Sequence, residues 1–387
     1  MVSIEEALGL IKDQEVTLIP DELPLAQSLD SFLSKPIVAT FDLPSFDNSA
    51  MDGYAVCGEG LSFKVVGEVA AGSTSDNRLE PGQAMRIFTG GRVPENTVAV
   101  VMQEKVSVAK DTLTLKEQVV PGMNMRRKGA EIAEGQEVFK VGHRITPASM
   151  GVISSLGIDQ VSVFQQPVIH IVATGNELIE AGQQKETGQI YESNTHALAA
   201  ALQDHGFYAG GRRIIEDELD ATIEGISDEL AQCDVLLVTG GISVGDYDYV
   251  KKALEENDVE EVFYKVMQKP GKPLYFGRRD DQFVFALPGN PASSLTCFYI
   301  YVLPLLERLS GGKGVGLPEM RLPLREDYHF EFDRPTFLKA SIEHGEVSIL
   351  DGQGSSMIHS MAMGNALVFL DQPRLIKRGE LVRIFPF

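Results

Sequence analysis

Residues 231–248 read AQCDVLLVTGGISVGDYD, and the order of their chemistry decides the fold. The run 235–238 is apolar and rich in β-branched residues, as befits a parallel strand covered on both faces. Thr239, Gly240 and Gly241 then turn the chain where backbone N–H groups can converge on an anion. Asp246 and Asp248 follow in the same loop, close enough to share one divalent cation through a few oxygens. Together these features point to a phosphorylated ligand held with a metal. A Gly-rich β-to-α connection with an acidic helix start is the plainer alternative.

Two further segments repeat the design. Residues 167–174 (PVIHIVAT) form a second apolar strand and run into Gly175-Asn176-Glu177, again a tight turn carrying a carboxylate. Residues 282–287 (QFVFAL) end in Pro288-Gly289-Asn290-Pro291 and enter an apolar helix through Ser293 and Ser294. A helix starting there has free N–H groups and a positive dipole end. Three strand ends with polar, Gly-rich exits describe the mouth of an open α/β sheet, where ligands of such folds sit. Helices are predicted at 194–205, stopped by Gly206, and at 219–232, so strands and helices alternate from 167 to about 310. That alternation is the signature of a doubly wound parallel sheet.

Lys269-Pro270-Gly271-Lys272-Pro273 sets two lysines into a turn stiffened by proline on both sides. In a chain of net charge −21, a concentrated positive site beside anion-receptive strand ends is better explained by an anionic ligand than by a solvated surface turn. The same net charge argues against nucleic acid or an acidic membrane surface as the main partner.

A length of 387 residues suits two to four domains at roughly 100–200 residues each. No run of about 18 apolar residues occurs, and the first sixteen residues read as an acidic amphipathic helix rather than a signal peptide. The expected location is therefore cytoplasmic. Cys57, Cys233 and Cys297 stand apart in mostly apolar context, so buried free thiols are expected rather than disulfides or a zinc site. The seven histidines are scattered, none at metal-ligand spacing from another.

Along the rest of the chain, residues 1–40 read as a helix followed by an extended, Pro-punctuated segment, with Asp30-Ser31 as a second helix start. Residues 41–130 carry short alternating runs such as 63–69 and 98–102 and suggest a separate small β domain. A helix is expected over 145–156, with Thr146 as cap, Pro147 in its first turn and Gly157 at its end. Residues 310–314 read as a linker, and the tail to Phe387 as strand throughout. The stretches NSAMDGYA (48–55), FTGG (88–91) and MRRKGAE (125–131) are polar loops, whose Asp and Asn would ordinarily cap turns.

Taken in order, NSAMDGYA, FTGG, MRRKGAE, TGNEL, ESN, TGGISVGDYD, KPGKP and LPGNPASS resemble the molybdopterin molybdenumtransferase family, which includes MoeA and the E domain of gephyrin. The resemblance covers essentially the whole chain. It implies an elongated homodimer of α/β and β-rich domains: an N-terminal extended domain (1–40 and 131–165), an inserted β-rich domain (41–130), a doubly wound, MogA-like α/β domain (166–310) that binds molybdopterin, and a C-terminal β barrel (311–387). The implied reaction is insertion of molybdate into adenylylated molybdopterin with release of AMP, the final step of molybdenum cofactor biosynthesis.

Several negative charges must then be stabilised, and Mg2+ between Asp246 and Asp248 suits a carboxylate-plus-phosphate site. By the resemblance, Asp248 leads in metal or nucleotide-phosphate work, with Glu177 and Asp217 nearby, and Lys269 and Lys272 hold the oxyanion. Cofactor-binding positions are Thr174, Gly175, Asn194, Gly240, Gly241, Ser243, Gly289, Asn290, Pro291, Ser293 and Ser294. Further oxyanion contacts are implied at Pro273, Arg334, Ser355 and Ser356. Lys339 stands where relatives carry arginine, and a lysine offers no bidentate grip. Asp52, Thr89 and Glu131 match positions that reach the site from the partner subunit, with Glu131 in place of an aspartate.

Implied partners are the upstream adenylyltransferase and the apo-molybdoenzymes that receive the product. Two other readings compete: an adenylyltransferase that activates molybdopterin one step earlier, and a catalytically inactive gephyrin-like scaffold. The adenylyltransferase resembles the α/β domain alone, whereas this chain keeps NSAMDGYA and the tail. Intact carboxylates and lysines speak against a decayed scaffold.

Overall fold

A computed structural model describes residues 1–73, 77–242 and 249–387. The chain forms two compact units, one of Met1–Ser34, Gly142–Thr146 and Gln160–Phe387, the other of Lys35–Val141 and Pro147–Asp159.

The first unit is built on a six-stranded sheet in the order Ala209–Ile215, Ile169–Thr174, Val235–Thr239, Gln282–Leu287, Tyr275–Arg279, Glu260–Tyr264. The first four run parallel, with Ile169 opposite Val235 and Val235 opposite Phe283. Every residue of Ile169–Thr174 and Val235–Thr239 is buried, which is why these strands are unbroken apolar runs rather than alternating ones. Side chains leave the sheet on alternate faces. Ile171, Leu237 and Phe285 pack against Leu198 and Leu202 on one side. Val172, Leu236 and Val284 pack against Ile226, Leu230 and Leu254 on the other. The sheet is doubly wound, as expected, but it is not wholly parallel. Tyr275–Arg279 and Gln282–Leu287 are joined through Asp280 and Asp281 alone, a link that admits only an antiparallel pair, and Glu260–Tyr264 pairs antiparallel as well.

Ile169–Thr174 lies between Ala209–Ile215 and Val235–Thr239. The chain leaves this strand to one side and returns on the other, so the carboxyl ends of 169–174 and 235–239 flank the topological switch point.

The N-terminal helix Ile4–Lys12 begins with a capping box between Ser3 and Glu6 and buries Ile4, Ala7 and Ile11 in the same core as Leu198. No helix starts at Asp30-Ser31. Asp30 has φ 66°, and Phe32 and Leu33 form bridges to Arg144 and Val163, so long-range pairing overrides the local capping signal.

Beyond residue 319 a five-stranded antiparallel sheet runs Met320–Pro323, Leu381–Pro386, Ala366–Leu370, Thr336–Glu343, Glu346–Ile349. The tail is not strand throughout. Past Ile349 the chain turns, and Ile358–Ala362 is a short helix.

The second unit centres on its own six-stranded sheet: Ala99–Met102, Gly53–Val56, Gln83–Ile87, Ser62–Val69, Thr112–Leu115, Val106–Ala109. The expected helix after Thr146 is present as Pro147–Ser155. All three cysteines are buried free thiols. Among the described residues no helix is long and apolar enough to cross a membrane.

Candidate active site

At the switch point lies a cavity of about 500 Å³ whose lining includes Thr174, Glu177, Asp217, Gly240, Asn290 and Ser356. The end of Val235–Thr239 approaches that of Ile169–Thr174 closely because two glycines follow it. Gly240 has φ +92°, and a Cβ there would come within 2.5 Å of the Thr174 carbonyl oxygen. Gly241 has φ +56°, and its Cβ would meet Val250 and Thr174 Oγ1 at 2.7 and 2.8 Å. Any side chain would therefore push apart the strand ends that frame the cavity.

Asn194 ties two of those ends together: its Nδ2 donates to Thr239 Oγ1 and to Gly289 O, both at 2.8 Å. Its helix is started by Glu192, whose buried carboxylate accepts from Thr195 N at 2.9 Å and Thr195 Oγ1 at 2.6 Å. Asn176 Oδ1 accepts from Asp217 N at 2.9 Å and so fixes the loop that carries Asp217. Thr174 Oγ1, Asn194 Oδ1 and Asp217 Oδ1 are buried atoms without a hydrogen-bond partner among the described residues. Such atoms are costly unless paired, and together they offer a ligand both donor and acceptor contacts.

Burial raises the pKa of the Asp217 carboxyl, and the neighbouring charge of Glu177 adds to the effect. Two carboxylates facing one cavity suit a cation better than bare solvent. Ser243, Asp246 and Asp248 lie outside the described residues. Among the described residues no cluster of three or more His, Cys, Asp or Glu forms a metal-binding group.

The lysine turn is set by groups that its sequence does not announce. Gly271 has φ +84° and leaves no room for a Cβ, which would meet Cys297 Sγ at 2.5 Å. Beneath it the buried Gln268 donates from Nε2 to Pro270 O at 3.0 Å and Gly271 O at 3.3 Å, while its Oε1 accepts from Tyr301 OH. The backbone of Lys269 is paired with the C-terminal sheet: Lys269 N donates to Pro335 O at 2.9 Å, and Phe337 N donates to Lys269 O at 2.8 Å. Lys269 Nζ stands 3.2 Å from the centroid of the Phe332 ring. Burial lowers its pKa, and the Arg334 charge lowers it further. Lys272 and Arg334 are exposed.

Of this group only Pro273 lines the cavity, together with Gly289, Asn290 and Pro291 from the third strand end. Ser293 and Ser294 are buried in the helix that follows, away from the lining. Ser355 Oγ accepts from Asn290 Nδ2 at 3.1 Å.

Asp52, Thr89 and Glu131 belong to the second unit. There Asp52 Oδ1 accepts from Thr89 N at 2.7 Å and Thr89 Oγ1 at 2.8 Å. These bonds, the backbone one foremost, hold the Asp52 carboxyl below the usual range. All three residues are exposed.

Sequence reasoning passed over Glu192, Asn176, Gln268 and Tyr301 as holders of the site. Glu192 could have been found from its spacing to Thr195 at a helix start. Gln268 and Tyr301 carry no such local signal, since they meet across the fold.

Fold and site define an α/β protein with a polar-lined cavity at the topological switch point of its sheet and β-rich segments before and after that domain in sequence. Three family descriptions match in succession: the MoeA N-terminal region (domain I and II) over residues 2–157, a probable molybdopterin binding domain over 170–308, and the MoeA C-terminal region (domain IV) over 321–387. The chain is 30% identical to a molybdopterin molybdenumtransferase of Staphylococcus epidermidis, with 99% of this chain and 95% of the relative aligned. It is 33% identical to one of Haemophilus influenzae, over 94% and 93% of the two chains. A crystal structure of a molybdopterin biosynthesis MoeA protein from Pyrococcus horikoshii superposes with a TM-score of 0.84 at 27% identity, covering 100% of both chains. The chain belongs to the molybdopterin molybdenumtransferase, or MoeA, family.

Proposed function

We propose that this protein inserts molybdate into adenylylated molybdopterin and releases AMP, the final step of molybdenum cofactor biosynthesis. The observation that carries the reading is the set of unpartnered polar atoms on Thr174, Asn194 and Asp217 at the switch-point cavity, in a chain that matches the family from its N-terminal to its C-terminal region. The match outside the α/β domain favours this step over the preceding adenylylation.

Thr174 and Asn194 orient the pterin nucleotide through the donor and acceptor that the protein leaves unpaired. Lys269 and Lys272 offset the charge of molybdate, with Pro273 and Ser356 shaping that end of the cavity. Magnesium fits the hard oxygen donors Glu177 and Asp217, with Asp246 and Asp248 completing the set from the loop outside the described residues. When bound, the cation supplies Lewis-acid polarisation of the phosphoanhydride. The working form is a cytoplasmic homodimer in which Asp52, Thr89 and Glu131 serve the partner's site.

The test is reconstitution with adenylylated molybdopterin, molybdate and Mg2+, reading AMP release together with activation of an apo-molybdoenzyme. Both signals should require molybdate, and removal of divalent cations with a chelator should abolish them. AMP release at full rate without molybdate, or no activation of the apo-enzyme, would overturn the reading. Asp248→Asn, alone and with Asp246→Asn, should stop AMP release while leaving the thermal unfolding curve unchanged.

A further inference from the structure

We infer that Lys339 is a positioning residue for the oxyanion end of the site, acting through the turn at residues 352–357 and making no contact with the ligand. The inference rests on the function proposed above. Lys339 sits in the strand Thr336–Glu343 and is only 3% exposed. Its Nζ donates to Gly352 O at 2.7 Å, Gly354 O at 2.9 Å and Met357 O at 3.0 Å. An ammonium has three donors and no acceptor. All three are therefore used on this turn, and none remains for a bound anion.

Within the turn, Met357 N donates to Gly354 O at 3.1 Å and Ile358 N to Ser356 O at 3.0 Å. Gln353 pins it from the other side, accepting from Lys339 N at 2.9 Å and donating to Lys339 O at 2.8 Å and Leu350 O at 2.7 Å. Ser360 Oγ adds a bond to Gly352 O at 2.7 Å. Three carbonyl oxygens converging on one point repel one another unless a compact cation sits between them. A lysine ammonium meets that need, its three donors radiating from a single nitrogen. What the turn delivers is Ser356 at the cavity wall and Ser355 against Asn290. Lys339 thus reaches the ligand only by way of two serines.

The experiment measures AMP release by the full-length chain as a function of molybdate, with adenylylated molybdopterin saturating. Lys339→Met should raise the half-saturating molybdate concentration about tenfold with kcat within about twofold of wild type. A Ser355→Ala/Ser356→Ala variant should show a similar rise. Because Lys339 acts through the serines, combining all three changes should do no more than the larger of the two. Gln353→Ala loosens the same turn without touching the charge and should shift molybdate dependence in the same direction; it carries the test if Lys339→Met does not fold. Multiplying effects in the combined variant, or an unchanged Gln353→Ala beside an impaired Lys339→Met, would mean that the ammonium binds the anion itself. An unchanged Lys339→Met would also overturn the inference. Hydrogen exchange gives a readout free of activity: the amides of Met357 and Ile358 should exchange faster in Lys339→Met or Gln353→Ala, and unaltered protection in both would sink the positioning role. Wild-type protein that releases no AMP with molybdate would instead refute the functional reading, and the exchange result would still decide this one.

Discussion

Asn194 and Thr239 are joined side chain to side chain at 2.8 Å across the mouth of the sheet, and the same Asn194 nitrogen reaches Gly289 O at 2.8 Å. One amide thus clamps a helix start to two strand ends. Asn194→Ala would leave both acceptors short of a donor at a cost of about 1–3 kcal/mol. Urea unfolding should show that loss, and the half-saturating concentration of the pterin substrate should rise while that of molybdate stays put. Equal effects on both substrates would argue against a role on the pterin side.

Lys269→Ala and Lys272→Ala should weaken molybdate use more than binding of the adenylylated pterin. Each deletes a point charge, and a charge-assisted hydrogen bond to an anion is worth about 1.5–3 kcal/mol, or roughly ten- to a hundredfold in affinity. A steady-state titration in molybdate reads the change. Unaltered molybdate dependence in both variants would refute the assignment.

Asp217 gives a pH test with a defined sign. Its folded pKa lies above the ordinary 3.8, through burial first and Glu177 second. A carboxyl raised on folding contributes stability below its unfolded pKa, and that contribution is lost as pH rises through the folded value. In the presence of a chelator, Asp217→Asn should therefore raise Tm at pH 7, with the gain fading as pH falls toward 3.8. Adding Mg2+ should stabilise wild type more than the variant. A variant less stable than wild type at neutral pH without metal would contradict the argument.

Complementation addresses the shared site. Asp52→Ala and Lys272→Ala proteins, each impaired alone at limiting molybdate, should regain activity when mixed under conditions of subunit exchange, because in the proposed dimer a hybrid holds one intact site. Demonstrated exchange with no activity would rule out a contribution of Asp52 of the partner subunit.

The sequence made the centre of the fold legible and left its edges obscure. Residues 169–174 and 235–239 are covered on both faces, so their burial is written as unbroken apolar runs, and the glycines after them mark where strand ends crowd together. Glu260–Tyr264 and Tyr275–Arg279 have no comparable mark of direction: the short link through Asp280 and Asp281 decides that Tyr275–Arg279 runs antiparallel to Gln282–Leu287, and nothing local announces that Glu260–Tyr264 pairs antiparallel in its turn. Asp30 misled because a capping residue looks the same whether or not a helix follows. The lysine turn was visible, but its support was not. Gln268 acts on backbone carbonyls brought beneath it by tertiary packing, and Lys339 clasps carbonyls that any sequence would provide. Polar side chains that grip main chain leave no pattern at a fixed spacing.

The backbone of Lys269 exchanges peptide hydrogen bonds with Pro335 and Phe337, although its ammonium is assigned to a ligand of the α/β domain. The turn is thus held from two sides: Lys269 by the C-terminal sheet, and the next two residues by Gln268 of the α/β core. Any change in how those two parts meet would be felt at the lysine first, so the anion site doubles as a strain gauge for the seam between them.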